Sequence, residues 1–231
     1  MLDSPPAGGD FSPVNAAFLF LFLMCALAGM ARARDAIHPT NPTELFNGKD
    51  FSGWTFCMKD HADPGQTWSV TNGVIHCTGK PTGYLRTTRA YSNYVLTVVW
   101  RFKKITPTAD NTGVLVHIQS PDQVWPECVQ VQGRHGHQGD LFLMAGAESR
   151  EHRGRDANTP LPKHGESAEK PVGAWNICET VCSGHDVKAY VNGRFMNETT
   201  QCTLASGFIG IQSEGGDIEI RTMSLGPLKV N

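Results

Sequence analysis

The chain is short of charge. Charged residues make up 18% of its 231 positions, against about 25% in an average soluble domain. It has no basic excess either: 20 Lys and Arg stand against 22 Asp and Glu, a formal net charge of −2. That balance excludes a protein held to nucleic acid by phosphate contacts, which needs surplus cations. Sustained i, i+3, i+4, i+7 apolar spacing is missing outside the N-terminal segment, which argues against a helical bundle. There is no phosphate-cradling Gly loop and no CxxC zinc pattern, so neither a cofactor nor a metal is expected. What is present is a full core complement. An apolar share of 40% with 9% aromatics is too high for disorder over most of the chain.

The longest apolar run, residues 16–30 (AAFLFLFLMCALAGM), has 15 residues. A spanning helix needs about 20, so this length suits the core of an export signal. Ala31-Arg32-Ala33 follows as a small-residue cleavage pattern, although residues 1–15 carry Asp3 and Asp10 in place of the usual basic residues. Residues 1–36 are therefore expected to be a signal peptide or N-terminal anchor, and 37–231 an exported domain, periplasmic or extracellular. Loss of Cys25 would leave six of the seven cysteines. That even number permits disulfides in an exported chain, or six small buried thiols.

Turn formers are plentiful, with 24 Gly and 14 Pro. They separate short strand-like runs. Residues 68–71 and 74–77 flank Asn72-Gly73, and 187–191 and 194–196 flank Asn192-Gly193, both hairpin signals. Residues 94–102, 113–119, 208–212 and 218–224 read as further strands. Such a series predicts an all-β antiparallel sandwich. Residues 145–173, polar and rich in charge and proline, read as a long loop over one face.

Period-two alternation then assigns side chains to faces. Val114, Val116 and Ile118 point one way, and Leu115, His117 and Gln119 the other. Val129 and Val131 point inward, Cys128, Gln130 and Gln132 outward; Ile209 and Ile211 inward, Phe208, Gly210 and Gln212 outward. If their strands are neighbours, His117, Gln130, Gln132 and Gln212 share one polar face. With Trp125 nearby, that face has the makings of a sugar site. Amides bond hydroxyls in both directions, and an aromatic ring covers the apolar face of a pyranose. The same pattern also describes an ordinary solvated outer face.

A family resemblance narrows this choice. Leu45-Phe46-Asn47-Gly48-Lys49-Asp50-Phe51-Ser52-Gly53-Trp54 resembles the opening LFNGKDLSGW of the DUF1080, or 3-keto-disaccharide hydrolase, domain family. Trp68-Ser69-Val70-Thr71-Asn72-Gly73-Val74-Ile75, Gly83-Tyr84-Leu85-Arg86-Thr87, Asn111-Thr112-Gly113-Val114, Ala174-Trp175-Asn176 and Gly210-Ile211-Gln212 follow in the family order, covering residues 44–229. The resemblance implies a concanavalin A-like jelly-roll sandwich with a carbohydrate site, and cleavage of glycosides oxidised at C3. A base removes the acidified C2 proton, donors hold the enolate oxygen, and the glycosidic oxygen leaves protonated before water adds back. It also implies an upstream sugar 3-oxidase as functional partner, and no nicotinamide for this step. The chain departs from the family at Gln130, where a Glu is usual, and at Val99, often Glu. The alternative is therefore a non-catalytic carbohydrate-binding module. For catalysis, His117 is expected as the base and Glu127 as acid or base. Gln130, Gln132, Gln212, Arg86, Trp125 and Glu214 are expected to bind substrate, with Arg86 holding the keto or enolate oxygen. His135-Gly136-His137 with Asp140 reads as a solvated loop rather than a metal cluster.

Overall fold

A computed structural model describes residues 36–107, 110–156 and 158–228. The apolar run at 16–30 and the cleavage pattern at 31–33 lie outside the described residues. The domain is built from two antiparallel sheets. One has the strand order β12 (Arg194–Thr199), β11 (Asp186–Val191), β10 (Asn176–Ser183), β6 (Tyr94–Lys104), β14 (Asp217–Pro227), β4 (Val74–Cys77) and β3 (Trp68–Thr71), with β1 (Thr43–Glu44) also on β14. The other runs β2 (Trp54–Met58), β5 (Gly83–Thr87), β13 (Phe208–Ser213), β7 (Thr112–Ile118), β8 (Cys128–Gln132) and β9 (Leu141–Met144). The helical pieces among the described residues are two short 3-10 turns, Lys59–His61 and Pro64–Gln66.

The alternation seen in the sequence decides which side chains fill the space between the sheets. Leu96, Val98, Trp100 and Phe102 of β6 meet Val114, Val116, Val129, Val131, Ile209 and Ile211 of the six-stranded sheet in one buried cluster. Each such side chain contributes roughly 1.5–3 kcal/mol on full burial. A smaller cluster of Tyr84, Leu115, Ile118 and Cys128 forms apart from that core. It identifies the second face of the six-stranded sheet, because Leu115 and Cys128 alternate with the core residues Val114 and Val129.

Alternation fails at one place. Ile118 pairs with Phe208 and Leu115 with Gly210, so Val116 and His117 together oppose Ile209. This is a β-bulge, with His117 at φ 56°. Beyond it the strand turns over. Ile118 joins Leu115 on the second face, and His117 swings into the interior beside Tyr94, their ring centroids 6.2 Å apart. The Gln119 amide donates to the carbonyls of His117 and Ser206 (2.9 and 2.7 Å), tying the bulge to the neighbouring segment. The expected grouping of His117 with the polar face is thereby corrected.

Candidate functional site

Strand pairing places the expected amides side by side. Gln212 pairs with Gly113, and Gly113 with Gln132. Directly paired residues share a face, so the two glutamines flank a residue with no side chain. Gln130 lies over that gap. A Cβ at position 113 would stand 2.5 Å from the Gln130 amide nitrogen, so glycine there gives Gln130 its path across the strand. Gln130 Nε2 donates to Gln212 Oε1 at 3.1 Å and approaches Gln132 Oε1 at 3.4 Å. Gln132 Oε1 also accepts from the backbone N–H groups of Gly133 and Arg134, at 2.8 and 3.0 Å. Those two donors fix which way the Gln132 amide faces. The carbonyls of Gln132 and Gln212 are thus engaged within the protein. Their NH₂ groups, and the Gln130 carbonyl, have no hydrogen-bond partner among the described residues.

These three residues line a groove of about 510 Å³ together with Trp125, Asn111 and Glu214. Trp125 is 42% exposed and offers an aromatic surface at the groove wall. Phe142 and Met144 of β9 add apolar lining, and Ala145 and Asn158 bring in the long segment expected over one face. Glu214, just past the end of β13, is half-buried. Burial raises its carboxyl above the usual range, against the opposing pull of Arg134. Asn111 Nδ2 donates to Glu214 Oε2 at 2.6 Å. With its amide turned over, Asn111 can equally accept from the protonated carboxyl. Arg134 sits in the same groove, its Nε 3.2 Å from Asp110.

Other expected site residues are elsewhere. His117 is fully buried, and neither ring nitrogen has a hydrogen-bond partner among the described residues. Burial pushes it down to about 4, and no substrate on the outer face reaches it. Glu127 precedes β8 and does not line the groove; its carbonyl accepts from the Gln119 N–H. Arg86 shares the outer face, but its guanidinium is occupied. Its Nε and an Nη donate to the two Asp122 oxygens at 2.7 and 2.6 Å, and the group lies 4.0 Å over the Phe208 ring. The Tyr84 hydroxyl donates to Asp122 as well, at 2.9 Å. Burial acts to raise the Asp122 carboxyl, and the bonds from Arg86 and Tyr84 override it and hold it low. Arg86 is therefore corrected from oxyanion holder to loop anchor. His135 and His137 contact different carboxylates, Glu169 at 2.9 Å and Asp140 at 3.1 Å.

Asn111 and Arg134 belong to the groove without having been assigned to it from the sequence. Asn111 stands in the quoted Asn-Thr-Gly-Val segment, which was the available signal. Arg134 lies in a turn after β8, where no periodicity applies.

A family model, that of the 3-keto-alpha-glucoside-1,2-lyase-like domain, matches residues 41–226. The chain belongs to this family. The family's description names an alpha-glucoside, which supports a carbohydrate-related role for this lyase-like domain. No curated protein matches the sequence. Among solved structures, it is similar to a candidate glycosyl hydrolase of Parabacteroides distasonis, with TM-score 0.60 and 20% identity over 82% of this chain and 100% of that one. The β-glucanase of Bacillus licheniformis follows at TM-score 0.57 and 12% identity, covering 82% and 99%. The carbohydrate-binding module CBM66 of Bacillus subtilis reaches 0.53 at 11%, covering 74% and 94%. The lyase-like domain thus has the jelly-roll sandwich of lectins and glucanases.

Proposed function

We propose that this domain cleaves 3-keto-glycosides in the outer-face groove, with Glu214 as the group that takes the C2 proton. One observation carries the reading. Glu214 is a half-buried carboxyl facing a groove that also holds three glutamine amides, Trp125 and Arg134. Burial makes its carboxylate a stronger base than an exposed one, the property that C2 proton abstraction requires. The 3-keto oxygen gains negative charge as that proton leaves, and the free NH₂ groups of Gln132 and Gln212, with Arg134, are the donors available to it. The C1–O bond then breaks as the C1–C2 double bond forms. The departing oxygen takes a proton from water in the open groove, and water adds to the enone to complete a net hydrolysis. Trp125 supplies the surface on which the ring rests.

The substrate's keto group must come from a preceding sugar C3 oxidation, and export of the domain through residues 16–33 fits a supply of glycosides outside the cytoplasm. Gln130, an amide where the family usually has a carboxylate, supports the second reading: a groove that holds the sugar without cleaving it.

Glu214→Gln tests the assignment. On 3-keto-trehalose it should lower kcat by about 10²–10⁴, the ordinary worth of a positioned base, with the fold intact by circular dichroism. Trp125→Ala should instead raise KM. Full activity in Glu214→Gln would remove the carboxyl from the mechanism.

A further inference from the structure

The three glutamines of the groove are ordered from one end. Gln132 Oε1 accepts from the backbone N–H groups of Gly133 and Arg134, at 2.8 and 3.0 Å. A backbone N–H can only donate, so the side-chain atom it meets is the oxygen and not the nitrogen. Gln130 is next in line. Its atom 3.4 Å from Gln132 Oε1 is the nitrogen, because a carbonyl there would oppose another carbonyl. The same Nε2 meets Gln212 at 3.1 Å, and Gln212 turns its oxygen toward it. Each amide is thus oriented by the one before it, and the first by the main chain.

The place of Gln130 in the sheet offers it no other polar partner. Its cross-strand neighbours are Leu115 and Phe142. It is buried and leans diagonally across Gly113. A Cβ at position 113 would stand 2.5 Å from its Nε2, 3.0 Å from its Cγ and 3.1 Å from its Cδ. Gln212, unlike Gln132, receives no main-chain donor. Among the described residues the bond from Gln130 is the only hydrogen bond on its side chain.

We infer that Gln130 is a positioning residue: it turns the Gln212 amide so that the NH₂ group, and not the carbonyl, faces the bound sugar, and Gly113 is the opening that lets it reach. The outward NH₂ groups of Gln132 and Gln212 then suit an oxygen that gains negative charge. The inference rests on the reaction proposed above only for the identity of that oxygen; the order of the amides is independent of it.

Two measurements test it. Gln130→Met keeps the length of the side chain and removes the donor without adding charge. On 3-keto-trehalose it should lower kcat by about tenfold with KM little changed, as loss of an ordered donor to a charging oxygen requires. In a Gln212→Ala background the same substitution should cost no more than about twofold, because a residue that acts through Gln212 has nothing left to act on. Gly113→Ala, which displaces the Gln130 amide, should repeat this pattern. The second measurement needs no turnover: hydrogen exchange of the assigned side-chain NH₂ signals of the free protein by ¹⁵N NMR. In the wild type the Gln130 NH₂ should exchange slowly and the Gln212 NH₂ fast. In Gln130→Glu, whose carboxylate draws the Gln212 NH₂ to itself, the Gln212 signal should become slow. An equal loss of kcat with and without Gln212, or Gln212 exchange that is already slow in the wild type or unchanged in Gln130→Glu, would each overturn the assignment. A wild-type protein that leaves 3-keto-trehalose intact would overturn the elimination, and the exchange rates alone would then decide the role of Gln130.

Discussion

At the scale of residues, His117 departs from the face that alternation gave it, and Glu214 lines the groove. His117 was placed on the polar face by counting, and the bulge puts it among core side chains beside Tyr94. Burial holds its imidazole at about 4 in the folded state, below the ordinary value near 6.5, and this has a thermodynamic consequence. Between pH 6.5 and 4 the unfolded chain binds a proton here that the folded protein does not. Stability from this group is present above pH 6.5 and is lost as pH falls through that window, by roughly 3 kcal/mol in total at about 1.4 kcal/mol per unit. Urea unfolding at pH 7, 6 and 5 should show that decline in the wild type and a flatter profile in His117→Asn. Parallel profiles would place the imidazole in solvent. The three glutamines, by contrast, were legible from period two alone, because β8 and β13 run without a bulge through Gln130, Gln132 and Gln212. The Arg86–Asp122 pair was not, since its members are 36 residues apart and nothing local links them.

Elements show where sequence signals are strong. Both Asn-Gly dipeptides form the turns expected of them, with Asn72 and Gly73 at φ 52° and 76° and Asn192 and Gly193 at 52° and 79°. The second turn also fixes its surroundings. Asn192 Oδ1 accepts from the Ile177 N–H at 2.9 Å, and its Nδ2 donates to the Ala168 carbonyl at 2.8 Å. That ties the β11–β12 hairpin to β10 and to the long 145–173 segment. Gly193→Val meets no steric obstacle, since nothing lies within 4 Å of a Cβ built there. Its cost is purely the positive φ, which should destabilise the domain by roughly 1–3 kcal/mol in denaturant titration. An unchanged midpoint would mean that the turn is not held in this conformation. The bulge had no such signal, because residues 113–119 read as an unbroken strand with His where a left-handed position usually takes glycine. The path of the β7–β8 loop was equally silent. Its place over the sheet depends on one carboxylate meeting Tyr84 and Arg86, a contact of tertiary structure.

For the whole molecule, the two sheets divide the labour. Their facing sides make the core, and the other side of the six-stranded sheet carries the groove lined by Gln130, Gln132 and Gln212. The eight-stranded sheet carries two arginines on adjacent strands, Arg101 of β6 and Arg221 of β14. There Trp175 lies between Arg101 and Arg221, at 4.4 and 4.7 Å from its ring, a packed rather than an open arrangement. The fold was legible because family motifs and strand periods run through nearly the whole domain. The chemistry was less so, because it hangs on how far Glu214 is buried and on what stands beside it. Both are set by segments distant in sequence: Asn111 before β7, Arg134 after β8, and Trp125 in the β7–β8 loop.

The central claim is elimination through loss of the C2 proton, and product analysis in D₂O examines it most directly. The domain is incubated with fresh 3-keto-trehalose, and released glucose and 3-keto-glucose are followed at early times against a protein-free control. The account predicts glucose release well above the control, 3-keto-glucose carrying deuterium at C2, intact parent trehalose, and loss of both signals in Glu214→Gln. Glucose release with protium retained at C2, or no release from the 3-keto sugar at all, would contradict it.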